Sequence, residues 1–235
     1  MGVVLFRQPH HKVMCLRRLG VRHHFLVACL RMTVANVVAH AAREEDRFLR
    51  HDASNLAAFL YMLQGAYPDH YRKIVDAVQM VAPFFEDFAL RPNALNDSKI
   101  RLEWVEKGSD LYFDPSALSD GTLRFICLAA LLLQPGDYLP SAILLDEPEL
   151  GLHPYAITVL SGLLKAAAHR TQVIVSTQSV SLVNQFGADD ILVVEREQGE
   201  TVFRRFSAEA ISHWMDDYGL GDLWEKNVLG GRPSA

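Results

Sequence analysis

The chain has 235 residues, half of them hydrophobic and 22% charged, with a net charge of -5 at pH 7. That is enough apolar material for one large domain or two small ones. It carries no global signature of a nucleic-acid binder, and no apolar run approaches the roughly 18 residues a membrane helix needs. Cys15, Cys29 and Cys127 form no CxxC pattern, which fits reduced thiols in a cytoplasmic protein.

The charge is unevenly spread. Up to Arg43 every charged residue is basic (Arg7, Lys12, Arg17, Arg18, Arg22, Arg31, Arg43), and the acids begin at Glu44. Residues 1–45 read as an atypical basic segment, mis-started or disordered, with no clear hydrophobic period. Its arginines suit contact with a nucleic-acid backbone, but few aromatics interleave with them, so no base-stacking platform is indicated. Phe25–Leu30 is apolar but lacks a small-residue cleavage site, so it is not a signal peptide. His10, His11, His23, His24, His40 and His51 lie early without zinc spacing and are read as solvated.

Residues 54–64, "SNLAAFLYMLQ", predict a helix capped by Ser54, with Leu56, Phe59, Leu60 and Leu63 on one face. Residues 69–81 predict a second helix, ended by Pro83. "KIRLEWVE", 99–106, places Ile100, Leu102 and Trp104 on one face of a strand, and "LYFD" pairs back as a hairpin. A helix then begins at Ser119 and is apolar nearly all round, hence buried. "AILL" is a strand apolar on both faces, as parallel strands are. "PYAITVLSGLLKAAAH" is a helix with Pro154 in its first turn. "QVIVS", 172–176, is a second buried strand, and 190–197 with 201–206 form a strand pair. Strands alternating with helices indicate an α/β sandwich. Trp214 and Trp224 near the end of the sequence read as packing anchors.

Three short stretches carry chemistry. In "LLDEPELGLHP", 144–154, two carboxylates, Asp146 and Glu147, follow an apolar strand. Open parallel sheets place functional residues at that end. In nucleotide hydrolysis an Asp there holds Mg²⁺ and an adjacent acid orients and deprotonates water. In "LSDGTLR", 118–124, Ser119 is a natural N-cap and Gly121 allows close backbone approach; free amides at a helix start attract phosphate. In "IVSTQS", 174–179, a strand ends in polar residues able to reach a terminal phosphate. Each alone is equally a strand end, a capped helix or a polar turn. The order of the three carries the information.

That order resembles the second half of an ABC-type ATPase head. "LSDGT" looks like the signature motif, "AILLDEPELGLHP" like Walker B and the loop after it, and "STQS" like the switch loop. The wording is closest to RecF/SMC/OLD-like ATPases, and "WMDDYGLGDLWEKNVLGGRP" resembles the ends of bacterial predicted ATPases of the AAA-type core family. The resemblance covers about residues 50–233. It implies an α/β, partial P-loop NTPase sandwich with a mostly parallel sheet and flanking helices. A helical and hairpin insert would span about 54–113, the signature-to-switch core about 118–206, and a tail 207–235, all within a part running from 46 to 235. It also implies ATP and Mg²⁺ as cofactors, Asp146 on the metal, Glu147 as base, and Gln178 at the switch position where many members carry histidine. Ser119, Asp120, Gly121 and Thr122 would meet the ATP of an opposing subunit in a homo- or hetero-dimer. DNA or an effector would be a further partner, and no membrane is implied. His153 would begin the next helix near a dimer contact, or be merely structural.

A P-loop, G-x-x-x-x-G-K-[ST], is absent: the sequence has no Gly-Lys dipeptide, and only Gly2 and Gly20 precede Gly65. Losing even one preorganised donor to a developing charge costs roughly 3 kcal/mol. The expectation is a chain truncated on its N-terminal side that binds MgATP weakly, hydrolyses it negligibly alone, and leaves part of its sheet uncovered. The alternative is a non-catalytic pseudo-ATPase module that completes a partner's site or binds nucleic acid.

Overall fold

The structure is a computed structural model that describes residues 2–7, 26–28, 48–94, 96–198, 200–205, 218–226 and 228–229. Of the sequence features above, most of the basic segment, Cys15, Cys29, Trp214 and all the early histidines except His51 lie outside the described residues. In chain order the elements are β1 (Gly2–Arg7), β2 (Leu26–Ala28), α1 (Leu56–Ala66), α2 (Pro68–Val81), β3 (Phe85–Asn93), β4 (Asn96–Glu106) and β5 (Tyr112–Phe113). They continue with α3 (Asp120–Leu133), β6 (Ala142–Asp146), α4 (Pro154–Ala168), β7 (Gln172–Thr177), α5 (Val180–Val183), β8 (Ile191–Glu197), β9 (Glu200–Arg205) and α6 (Leu220–Glu225).

Two sheets result. The larger has the order β2-β6-β7-β1-β8-β9, the smaller β3-β4-β5. β2, β6 and β7 are parallel neighbours, while β1 runs antiparallel to both β7 and β8, and β9 antiparallel to β8. The sheet is therefore mixed, with a small parallel part that contains the carboxylate strand.

Residues 2–7 and 26–28 form strands where the sequence reading finds no strand pattern. The expectation of an uncovered sheet is corrected at β7, whose second side is paired by β1 from Val3↔Thr177 to Arg7↔Val173. The physical reason is that a short apolar run acquires strand identity from long-range partners, which leave no local period.

Most other expectations agree within a residue or two. Leu56, Phe59, Leu60 and Leu63 are all fully buried on α1. Ser54 is not its cap, however. Asn55 holds that place, and its buried amide is spent on the preceding loop: Oδ1 accepts from Arg50 N at 2.8 Å and Nδ2 donates to the Phe48 carbonyl at 2.8 Å. β4 buries Ile100, Leu102 and Trp104 as period two requires, and β5 pairs back on it through Trp104↔Phe113. β3 has no counterpart in the sequence reading. Register shifts at both of its ends break the alternation, so Phe85 and Phe88, three residues apart, are both buried.

α3 is buried along nearly its whole length, Phe125 to Leu132 without interruption. It packs against α2 on one side and α4 on another. Its last carbonyls are capped from a distance: Arg170 donates to the Leu132 oxygen at 2.6 Å and to the Gln134 oxygen at 3.2 Å. The same core takes in Leu220 and Leu223 of α6, with Trp224 packed against it as an anchor.

Candidate functional site

The site forms where β6 and β7 end side by side. Their parallel register sets Leu145 beside Val175 and Asp146 beside Ser176, so two consecutive acids meet a run of hydroxyls. Asp146 is exposed, and its Oδ1 accepts a hydrogen bond from the Ser176 hydroxyl. Glu147 leaves the strand in a left-handed backbone conformation, φ 43°, unusual for a residue with a Cβ. Its N–H donates to the Ser176 carbonyl at 2.8 Å, which ties the turn to β7. Gln178 then donates from Nε2 to Glu147 Oε1 at 2.8 Å. Asp146, Glu147 and Gln178, singled out separately in the sequence, are thus brought together.

Glu149 was not among the candidates, yet it is the most deeply placed acid here. It is 8% exposed, its Oε1 accepts from the Thr177 hydroxyl, and its buried Oε2 has no hydrogen-bond partner among the described residues. Burial pushes its carboxyl above the usual range; the Thr177 bond works against this, the negative Glu147 adds to it, and Arg124 opposes it. Thr177 in turn accepts from Ser179 N at 3.0 Å, which begins the short helix α5. The only sequence signal for Glu149 is a second acid two residues after Glu147, on the far side of a proline.

The start of α3 abuts the same loop. Ser119 caps α3 as predicted, accepting from Thr122 N at 3.1 Å, and its hydroxyl shares a hydrogen bond with that of Thr122 at 2.9 Å. Asp120 is exposed in the first turn. Gly121 is buried against Gly151: a Cβ at 121 would lie 2.2 Å from the Gly151 carbonyl oxygen. Gly151 has φ +79°, which makes this close turn possible. Arg124, one turn on, donates from Nη1 to the Glu147 carbonyl at 3.2 Å. Of the four α3-start residues, Gly121 is joined to the carboxylate loop by close backbone contact, while Ser119, Asp120 and Thr122 have no hydrogen bond to Asp146 or Glu147 among the described residues. His153 caps α4 by accepting from Tyr155 N at 3.3 Å, as its place before Pro154 suggests.

The donor set suits a small divalent ion: a carboxylate and a hydroxyl, both hard oxygens, at an exposed strand end. Among the described residues no group of three or more His, Cys, Asp or Glu could hold a metal, so phosphate and water oxygens would have to complete the shell. The sequence contains no G-x-x-x-x-G-K-[ST] run to cradle phosphate. β1 fills the slot beside β7 and runs antiparallel to it, which sets Arg7 beside Val173, at the opposite end of β7 from Ser176 and Thr177. Among the described residues no helix is long and apolar enough to cross a membrane.

A family model described as "AAA domain, putative AbiEii toxin, Type IV TA system" matches residues 35–184. The chain belongs to this AAA-domain family. Its fold is that of solved SMC ATPase heads. An SMC head bound to the C-terminal winged-helix domain of ScpA superposes with a TM-score of 0.56 at 16% identity, over 77% of this chain and 55% of that one. A structure from work on ATP-driven dimerization and DNA-stimulated activation of SMC ATPases gives 0.50 at 17% identity, over 67% of this chain and 96% of that one. A Pyrococcus furiosus SMC head with an extended coiled coil, bound to the C-terminal domain of ScpA, gives 0.50 at 16% identity, over 71% of this chain and 44% of that one. The AAA-domain chain thus spans about half the length of two of these structures and nearly all of the other. No curated protein matches.

Proposed function

We propose that this AAA-domain chain supplies the metal and water side of an ATP site, in a head that works as a dimer. Asp146 holds Mg²⁺, Glu147 orients and deprotonates the attacking water, and Gln178 fixes the Glu147 carboxylate from the neighbouring strand. The observation that carries this is the Gln178–Glu147 hydrogen bond, 2.8 Å, across the ends of two parallel strands. It joins the two segments that must act on one terminal phosphate, and an uncharged amide leaves Glu147 free to take a proton. Mg²⁺, when bound, neutralises phosphate charge. The rest of the chemistry here belongs to side chains: Ser176 orients Asp146, and Thr177 with Glu149 pins the loop that presents Gln178.

The phosphate grip comes from a P-loop not contained in this sequence. The exposed start of α3, with Ser119 and Thr122 at its tip, faces outward as a surface that touches ATP held by an opposing subunit. A DNA or effector partner is proposed for the dimer, as the SMC structures suggest by their ScpA and DNA associations.

The test measures ATP turnover and Mn²⁺ binding by the pure chain. Turnover is expected to be negligible, and Mn²⁺ binding is expected to disappear in Asp146→Asn. Turnover abolished by Glu147→Gln would instead show a complete site. A second reading, a non-catalytic module that completes a partner's site, draws on the seating of Gly121 against Gly151, which rigidly presents the α3 start. In that case Glu147→Gln leaves every activity of the assembled complex unchanged, while Ser119→Ala and Gly121→Ala reduce it.

A further inference from the structure

Glu147 is held in its left-handed conformation at three points. Its N–H bonds to β7, as above. Its carbonyl accepts from Leu150 N at 3.2 Å within its own turn, and from Arg124 at 3.2 Å across 23 residues of sequence. A non-glycine residue at such a φ costs roughly 1–2 kcal/mol and persists only where its surroundings over-determine it. Of the described non-glycine residues only Ala53, Glu147 and Gln198 have a positive φ, and only Glu147 is in the candidate site.

The geometry of α3 makes the Arg124 contact more than a local tether. Gly121 bears on Gly151 at one end of the turn and Arg124 on Glu147 at the other, so the first two turns of α3 brace the whole Glu147–Gly151 loop. Residues 121 and 124 share a helix face because they lie three apart. Arg124 is half-buried, where a charge-assisted bond to a carbonyl is worth about twice a neutral one. A guanidinium suits such a brace because it stays charged and places several donors in a rigid fork.

We infer that Arg124 is a positioning residue: it fixes the backbone of Glu147 so that the carboxylate stays against Gln178, and it makes that placement depend on where the start of α3 sits. The inference rests on Glu147 acting as the base proposed above. It assigns a role to a residue outside the metal, water and phosphate contacts proposed above, and it predicts that a ligand pressing on Ser119–Thr122 is felt at Glu147 through one rigid helix.

The test is ¹⁵N NMR of the full chain, read at the Gln178 side-chain amide, which Arg124 does not contact. In Arg124→Met, a substitution of similar length without donors, the Gln178 resonance is expected to move toward its position in Glu147→Ala. Amide exchange at residues 147–152 is expected to rise about tenfold, as loss of a bond worth roughly 1.4 kcal/mol gives. α4 amides are expected to stay unchanged, and Arg124→Lys to restore most of the Gln178 shift. Should Arg124→Met not fold, Arg124→Gln, with a shorter amide arm, is expected to show the same displacement. A Gln178 signal unmoved in both variants, or moved only together with α4, overturns the inference. Paramagnetic broadening of the Gln178 signal by Mn²⁺ in the unmutated chain tests the metal reading separately. If broadening is absent while the Arg124 effects are present, the ATP-site proposal fails and the brace stands.

Discussion

Gly121→Ala and Gly162→Ala are the same chemical change in two helices, and the structure gives them opposite signs. In α4, Gly162 is exposed with nothing within 4 Å of the added Cβ. There the methyl only lowers backbone freedom in the unfolded chain, a gain of about 1 kcal/mol. In α3, the Cβ of residue 121 meets Gly151 O at 2.2 Å and Gly151 C at 3.0 Å. The first of these is more than an ångström inside the ~3.5 Å at which carbon contacts become favourable. Both opposing atoms are backbone, so no side chain can rotate away. Overpacking of this kind costs roughly 1–3 kcal/mol, which exceeds the propensity gain. The propensity gain is common to both variants and cancels, so a difference of about 1–3 kcal/mol between them is expected in urea unfolding followed by far-ultraviolet circular dichroism. The displaced turn also carries Glu147, so Gly121→Ala should loosen residues 147–152 in hydrogen exchange while Gly162→Ala does not. Equal stabilities, or a stabilised Gly121→Ala, would refute the close packing of α3 on the carboxylate loop.

Glu149 predicts a pH dependence of definite sign. Its native pKa is raised above the ordinary 4.5, so its contribution is present in full below about 4.5 and is lost as pH rises through the raised native value. Glu149→Gln keeps an acceptor for Thr177 without the buried charge, so its unfolding midpoint should gain on that of the unmutated chain as pH rises from about 4 to about 8; a constant difference would sink the idea. Ser119→Ala removes the acceptor of Thr122 N and should cost about 0.5–2 kcal/mol in the same unfolding assay, with Ser119→Asp recovering most of it. Cys127 is fully buried and its thiol is pushed up by burial, so mass-mapped alkylation should leave it unmodified until the chain unfolds. Labelling of native Cys127 faster than global unfolding would contradict the packing of α3.

The amino-acid sequence by itself determined what depends on neighbours a few residues apart. The apolar periods of α1 and α2, the period-two face of β4, the Ser119 cap, the start of α4 at Pro154 and the polar ends of β6 and β7 are all local patterns, and all stand in the structure. Asp146, Glu147 and Gln178 could be named as candidates because a strand's end and its side-chain types are written in consecutive residues, and the register of β6 on β7 then brings them together. What only tertiary structure decided involves partners remote in sequence. β1 became a strand because β7 and β8 offered it backbone partners on both sides. β3 was hidden because its bulges break the alternation that marks a strand. Glu149, Arg124 and the Gly121–Gly151 pair make their contacts with groups on other segments, since burial, a shared hydrogen bond and steric closeness are properties of a packed pair. No spacing rule within one stretch encodes the other half of such a pair.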